Sequence, residues 1–450
     1  MKIQNTPYLI AFGIVLFINN LNAQSRFAPT PPMGWNSYDS YGASVNEDEV
    51  KANADMMAAH LKEYGWEYVV IDYCWFFPFS GAMGNPPQNA EFKPALAMDQ
   101  YGRLLPATDK FPSAAGGKGF KPLADYVHSK GLKFGIHVMR GIPRQAVANN
   151  STVYGTSYKA GDIADQNRIC RWLNSMYGVD CSKKGAQEYY NSIINLYAGW
   201  GVDYIKVDDI SKPYSSQEIE AIHSAINKCG RKIVLSLSPG ATPPDQANHV
   251  SENADLWRIS DDFWDDWGAL KTQFELCNSW SKYACDGHWP DADMLPLGRL
   301  NRRGPHKGLE RMTNFTGQEQ KTMMTLWCIF RSPLMIGADL SVLDNLTKTL
   351  LTNREVLEVN QNSKNNRQYS KAGDNIIWIA DVPGTQNRYL AFFNLGDKES
   401  VIEVNLEEAG IKNECQIRDL WAGKELGSKK SLFSQKIGPH GSALYKVVVK

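Results

Sequence analysis

The chain has 450 residues, 43% of them apolar, and its 48 Lys+Arg balance 48 Asp+Glu for a net charge of zero. That length suits a large barrel with an accessory module rather than one small domain. The even charge argues against a nucleic-acid or anionic-membrane partner, and 8 cysteines over this length exclude a disulfide scaffold.

Residues 1–23 read as a secretory signal peptide. Lys2 gives a positive start, residues 8–18 form an apolar run, and Ala23 precedes a cut site before Gln24. The run is too short to span a bilayer, so the expectation is export to the periplasm or beyond, with no membrane partner. Cys170 and Cys181 are close enough in sequence to close a loop, as are Cys277 and Cys285. No C-x-x-C occurs and His and Cys do not cluster at zinc spacing, so neither metal nor cofactor is expected.

The first structured segment starts at Thr30. Val50, Ala54, Met57 and Leu61 recur at helical spacing and predict a helix over 46–64. Residues 68–71 are a short apolar strand ending in Asp72. A Pro/Gly/aromatic loop follows, then a helix near 121–130 and a strand over 133–138 that carries His137 near its end. The connection over 139–183 is unusually long, and such loops are more often functional than idle.

A helix over 185–200 leads into the strand 203–209, where Lys206 and Asp208 share one face. Burying both in a dry core would cost several kcal/mol or more, so this face belongs at a polar mouth. Helix 216–228, strands 233–238 and 255–259, helix 263–283, a short unit ending at 291–295, helix 317–330 and strand 332–337 complete the series. Strand and helix thus alternate about eight times. This is the pattern of an α/β protein, a (β/α)8 TIM barrel over residues 24–345. From 346 to 450 short alternating strands at regular spacing predict a C-terminal antiparallel β-sandwich. No glycine-rich phosphate fingerprint follows the first strand, which argues against a dinucleotide fold.

In such a barrel the polar residues at the C-terminal strand ends converge. In order they are Trp35, Asp72, His137, Lys206 with Asp208, Ser236 with Ser238, Arg258, and Asp291 with Asp293. A carboxylate-rich pocket without a catalytic thiol or phosphate cradle suggests cleavage of glycosidic bonds by two carboxyl groups. Asp291 and Asp293 read as structural or rim groups.

The segments PPMGWNSY (31–38), VVIDYCW (69–75), YIKVDD (204–209), WRISDDFWDDW (257–267), WPDADMLPLG (289–298) and LWCIFRSPLMIGADL (326–340) make the chain recognisable. It resembles glycoside hydrolase family 27, the α-galactosidase and α-N-acetylgalactosaminidase (melibiase) family, and the matches run in order along the whole barrel. The resemblance implies a retaining, cofactor-free hydrolase acting on a carbohydrate. It makes Asp208 the nucleophile and Asp262, four residues after Arg258, the acid/base; Asp261, Asp265 and Asp266 are nearby rivals. It implies further that Lys206 and Arg258 bond ring hydroxyls, that Asp72 grips the far hydroxyls, and that Trp35 packs on the sugar.

Two departures bear on the substrate. The family's usual IDDCW reads IDYCW here, so Tyr73 replaces a carboxylate that would accept a sugar hydroxyl. The strand-five loop reads SLSPGA, placing Ser238 and small neighbours where α-galactosidases carry Glu-Trp-Pro. The leading expectation is an exported α-galactosidase. A β-L-arabinopyranosidase, whose sugar lacks the C6 arm, and an α-N-acetylgalactosaminidase are the alternatives within the class. A catalytically silent sugar-binding barrel is the alternative outside it.

Overall fold

The structure is a computed structural model that describes residues 27–78, 88–303 and 308–450. The expected signal segment lies outside the described residues. Eight short parallel strands form one sheet: β1 (Met33–Asn36), β2 (Tyr68–Ile71), β3 (Lys133–Met139), β4 (Tyr204–Asp208), β5 (Val234–Leu237), β6 (Leu256–Arg258), β7 (Trp289–Asp291) and β8 (Leu334–Ile336). From β2 to β7 each pairs with its predecessor in the chain, and β8 pairs with β1. Leu295, just beyond β7, closes the ring. Its N–H donates to Met335 O at 2.7 Å and its carbonyl accepts from Gly337 N at 2.9 Å. The expected eightfold barrel is therefore present.

The barrel floor is filled by Tyr68, Val70, Tyr204, Val234, Leu256, Trp289 and Met335. Large rings on alternate strands need empty positions opposite them. A Cβ on Gly34 would lie 2.4 Å from Tyr68 O, and one on Gly135 would lie 2.9 Å from Val70 Cγ2. Trp289 Nε1 donates to Ala28 O at 2.8 Å, so the N-terminal segment plugs the bottom of the ring. Packed and closed below, the barrel can offer a site only at its upper, C-terminal end.

Around the strands lie α1 (Glu47–His60), α2 (Lys121–Ser129), α3 (Ala186–Gly199), α4 (Ser216–Lys228), α5 (Ala247–Asn253), α6 (Trp267–Trp280) and α7 (Gly317–Phe330). α1 begins at a capping box, where Asn46 accepts from Glu49 N and Glu49 reaches back to Asn46 N. Nearly all of α7 is buried, which suits a helix lying between two layers.

The second layer is the antiparallel domain: β9 (Lys364–Ala372), β10 (Asn375–Asp381), β11 (Arg388–Asn394), β12 (Ser400–Asn405), β13 (Cys415–Asp419), β14 (Lys424–Lys429), β15 (Leu432–Ile437) and β16 (Ser442–Val449). Six strands run in the order β9-β10-β11-β16-β13-β14, and β12 pairs with β15 above them. Strand β10 shows how one sheet serves two cores. Ile376 and Trp378 face the barrel cluster, while Ile377 and Ile379 face the sandwich interior. Polar ties join the layers: Trp421 Nε1 donates to Thr325 Oγ1 at 2.9 Å, and the His440 ring stacks on Trp267 at 4.1 Å.

The sandwich sheet begins at Lys364. The residues from 346 expected with it instead form helices Asn345–Leu351 and Arg354–Asn362. The second of these is tied to the barrel, since Asn360 Nδ2 donates to Ser332 O at 2.8 Å and Arg331 Nε donates to Asn360 O at 2.8 Å.

All eight cysteines are free thiols. Cys170 and Cys181 flank opposite ends of a hairpin in which Ala164 pairs with Val179 and Ile169 with Tyr177. At about 3.3 Å per residue that separation is far beyond disulfide reach.

Candidate active site

Register sets the ranks of the barrel wall. His137 on β3 is aligned with Lys206 on β4, and Lys206 with Ser236 on β5. Arg258 on β6 is aligned with Asp291 on β7. These residues continue the inward face above the aromatic floor.

Two carboxylate systems face each other across the mouth. In the first, Asp72 Oδ2 accepts from Lys206 Nζ at 2.8 Å and from Asn36 Nδ2 at 2.7 Å, while its Oδ1 accepts from Tyr73 N at 2.8 Å. Burial pushes the Asp72 carboxyl up, but Lys206, His137 and these bonds outweigh it and hold it well below the ordinary range. Burial likewise pulls Lys206 down, and Asp72 and Asp208 more than reverse that. Asp208 Oδ2 lies 2.8 Å from His137 Nε2, and its Oδ1 accepts from Asp209 N at 2.7 Å.

The second system centres on Arg258, whose side chain is 3% exposed. Its Nη2 lies 2.6 Å from Asp293 Oδ2 and 3.5 Å from Asp262 Oδ1. Asp262 is the half-exposed member, at 52%. Its rivals are all committed elsewhere. Asp265 accepts from Arg311 at 2.6 Å and from Asn314 N at 2.7 Å, Asp266 caps α6 through Ala269 N at 2.8 Å, and Asp261 pairs with Lys212 at 3.6 Å on the surface. Tyr38 ties the two systems together. Burial first, then the charges of Asp262, Asp72 and Asp208, raise its phenol far above its ordinary value.

Trp35 does not reach the mouth. It is aligned with Val69 and Ile336, it is 0% exposed, and its Nε1 donates to Ala338 O at 2.8 Å. Side chains alternate along a strand, and on β1 the inward positions belong to Gly34 and Asn36. Trp35 therefore packs edge-on against Tyr41 in the helix layer and has no face for a sugar. The aromatic residue at the mouth is Tyr38, set edge-on to Tyr73 at 6.0 Å and to Trp264 at 6.4 Å. Asn36 and Tyr38 were not singled out from sequence, because parity along β1 does not say which of its faces turns inward.

Tyr73 is 2% exposed and packs among Tyr38, His137 at 5.7 Å and Trp172 at 5.5 Å. Its hydroxyl is buried beside the Cys74 thiol, so the residue acts as a wall rather than a grip. Ser238 is buried at the top of β5 with its N–H on Val207 O at 2.8 Å. The long connection after β3 folds back as the hairpin Ala164–Ile169 and Met176–Val179 and delivers Trp172 to Tyr73. It also begins with Arg140, a residue the sequence reading passed over. Arg140 donates its N–H to Asp208 O at 2.9 Å, its Nε to Asp209 O at 2.6 Å and its Nη2 to Asp209 Oδ2 at 2.5 Å. This clamp holds Asp209 at φ +57°, a left-handed backbone directly after Asp208.

An eightfold barrel with two carboxylate systems at its mouth is the arrangement of a glycoside hydrolase. The comparisons with known proteins agree. The alpha galactosidase A family model matches residues 30–184 and 173–362, and the alpha galactosidase C-terminal beta sandwich domain model matches 372–447. The chain belongs to glycoside hydrolase family 27. It is 53% identical to a family-27 β-L-arabinopyranosidase from Geobacillus stearothermophilus, with a TM-score of 0.91 over 94% of this chain and 97% of that one. A variant of that enzyme in complex with arabinose matches at 52% identity and TM-score 0.91, over 94% and 98% of the two chains. "Alpha-galactosidase 2" of Arabidopsis thaliana is 27% identical over 97% of this chain and 96% of its own length.

Proposed function

We propose that this protein is an exported, retaining exo-glycosidase that releases terminal β-L-arabinopyranosyl units. The observation that carries the reading is Tyr73, packed among Tyr38, His137 and Trp172 beside the Asp72–Lys206 pair. β-L-Arabinopyranose has the ring and hydroxyl configuration of α-D-galactopyranose without the C6 hydroxymethyl group. An aromatic wall where the family has a second carboxylate removes a hydroxyl acceptor and fills the volume a C6 arm would need. Similarity to the Geobacillus enzyme, about twice that to the plant α-galactosidase, supports the same choice.

In this reading Asp208 attacks the anomeric carbon while Asp262 protonates the departing oxygen. Water activated by Asp262 then opens the glycosyl-enzyme, giving net retention. Lys206, Asp72, Asn36 and Arg258 hold ring hydroxyls, and Tyr38 borders the sugar. Lys2, the apolar run over 8–18 and Ala23 support export.

The test is kcat/KM on 4-nitrophenyl β-L-arabinopyranoside, α-D-galactopyranoside and α-N-acetylgalactosaminide. The arabinopyranoside is expected to be the best substrate, with the galactoside weaker because only its C6 arm is in conflict. Preference for the galactoside would restore the α-galactosidase reading, and absence of turnover on all three would favour a sugar-binding barrel.

A further inference from the structure

Asp293 has no part in the chemistry above, yet it makes the shortest contact to Arg258. Its Oδ2 accepts from Arg258 Nη2 at 2.6 Å and from Phe263 N at 2.6 Å. Phe263 directly follows Asp262. One carboxylate oxygen thus ties down both the guanidinium facing Asp262 and the backbone that carries Asp262. The same Nη2 reaches Asp262 only at 3.5 Å, well beyond the ~2.7–2.9 Å of a charge-assisted bond. Nη2 carries two N–H bonds: the buried Asp293 carboxylate takes the short contact, Ser260 O accepts at 3.3 Å, and Asp262 is left the longest of the three.

Asp293 is itself fixed from three sides. Its N–H donates to Asp291 Oδ1 at 2.8 Å, its carbonyl accepts from Trp327 Nε1 at 2.8 Å, and it sits at φ +85°. A left-handed backbone at a non-glycine residue persists only where the surroundings enforce it. Burial raises its carboxyl against the pull of Arg258, while the short contacts from the guanidinium and from Phe263 N–H favour its anion.

We propose that Asp293 is a positioning residue for proton transfer: by keeping Arg258 and the Phe263 N–H on its own carboxylate, it leaves Asp262 free to give up and recover a proton. The proposal rests on the reading of Asp262 as acid/base. A guanidinium in full contact with Asp262 would favour its anion and spoil it as a proton donor. The other titratable groups facing this trio are Asp39, Asp208, Asp291, Lys206 and Tyr38. D293N leaves all of them in place and keeps a carbonyl oxygen for the Phe263 N–H. It removes one negative charge and releases Arg258 towards Asp262, and both changes stabilise the Asp262 anion.

The experiment is the pH dependence of kcat/KM for wild type, D293N, D293E and D262A on 4-nitrophenyl and methyl β-L-arabinopyranosides. The basic limb reports loss of the protonated acid in the free enzyme. In D293N it should move down by about one pH unit, the size expected from a changed neighbouring charge. The loss should be about tenfold greater on the methyl glycoside, whose departure needs a full proton. D293E keeps the charge and should restore both the limb and the leaving-group pattern; it also carries the test if D293N does not fold. An unmoved limb in D293N, equal losses on both substrates, or a D293E limb displaced like that of an uncharged variant would overturn the proposal. D262A separates the two levels. If D262A is impaired selectively on the methyl glycoside while D293N is not, only the role of Asp293 fails. If D262A behaves as wild type, the acid/base assignment fails and takes this inference with it.

Discussion

His137 Nε2 lies 2.8 Å from Asp208 Oδ2, while His137 Nδ1 is buried with no partner among the described residues. A carboxylate only accepts, so Nε2 carries the proton in this contact. The ring is 0% exposed and wedged edge-on against Tyr73, so it holds one oxygen of Asp208 in place.

Replacing His137 by Ala should therefore lower kcat about ten- to hundredfold, the equivalent of a hydrogen bond to a charged group of about 1.5–3 kcal/mol. H137Q, which keeps a donor, should recover part of the loss. Equal kcat for H137A and wild type would show that the contact does not orient the nucleophile.

The Asp72–Lys206 pair gives a pH-dependent stability. Asp72 is held below the ordinary carboxylate range, so its contribution is complete above its unfolded value of about 3.9 and fades as pH falls below that. Lys206 is held above its ordinary range, so its contribution is complete below about 10.4 and fades only at higher pH. K206M strands a buried carboxylate and should cost about 3–5 kcal/mol across that window. Denaturant unfolding from pH 3 to 10 should show the gap to wild type narrowing at the acid end. A gap that stays constant down to pH 3 would mean that the pair is not its source.

Tyr73→Asp tests the wall. The substitution opens volume among Tyr38, His137 and Trp172 and restores a hydroxyl acceptor, so the galactoside-to-arabinopyranoside ratio of kcat/KM should rise. A change of about 1–3 kcal/mol in relative transition-state binding, roughly ten- to hundredfold, is the scale for a group of this size. An unchanged ratio would place Tyr73 away from the sugar.

The two carboxyl groups should separate by leaving group. D208A should abolish turnover even on activated aryl glycosides. D262A should spare glycosylation by good leaving groups, and azide should rescue its slow second step. The first product, followed by NMR, should keep the anomeric configuration of the substrate. An inverted product would rule out double displacement.

Local residue order already determined much of this protein. Alternating apolar strands and amphipathic helices specified the barrel, because burial on both faces of a strand and one face of a helix leaves a period in the sequence. Lys206 and Asp208 could be set on one polar face by counting alone, whereas Asp262 was singled out among its neighbouring aspartates only by the family resemblance. Counting fixes which residues share a face, but not which face points inward, and that is why Trp35 was expected at the sugar and lies instead under the helices. The start of the sandwich escaped for a related reason: Asn345–Leu351 and Arg354–Asn362 are helices, and the second belongs with the barrel because Asn360 finds its partners on Trp327 and Ser332. Only the tertiary structure could decide how Arg258 is divided between Asp262 and Asp293, or that Arg140 clamps the peptide after Asp208. Asp293 and Arg140 are far in the chain from the residues they hold, and long-range pairing leaves no trace in the local pattern from which a sequence is read.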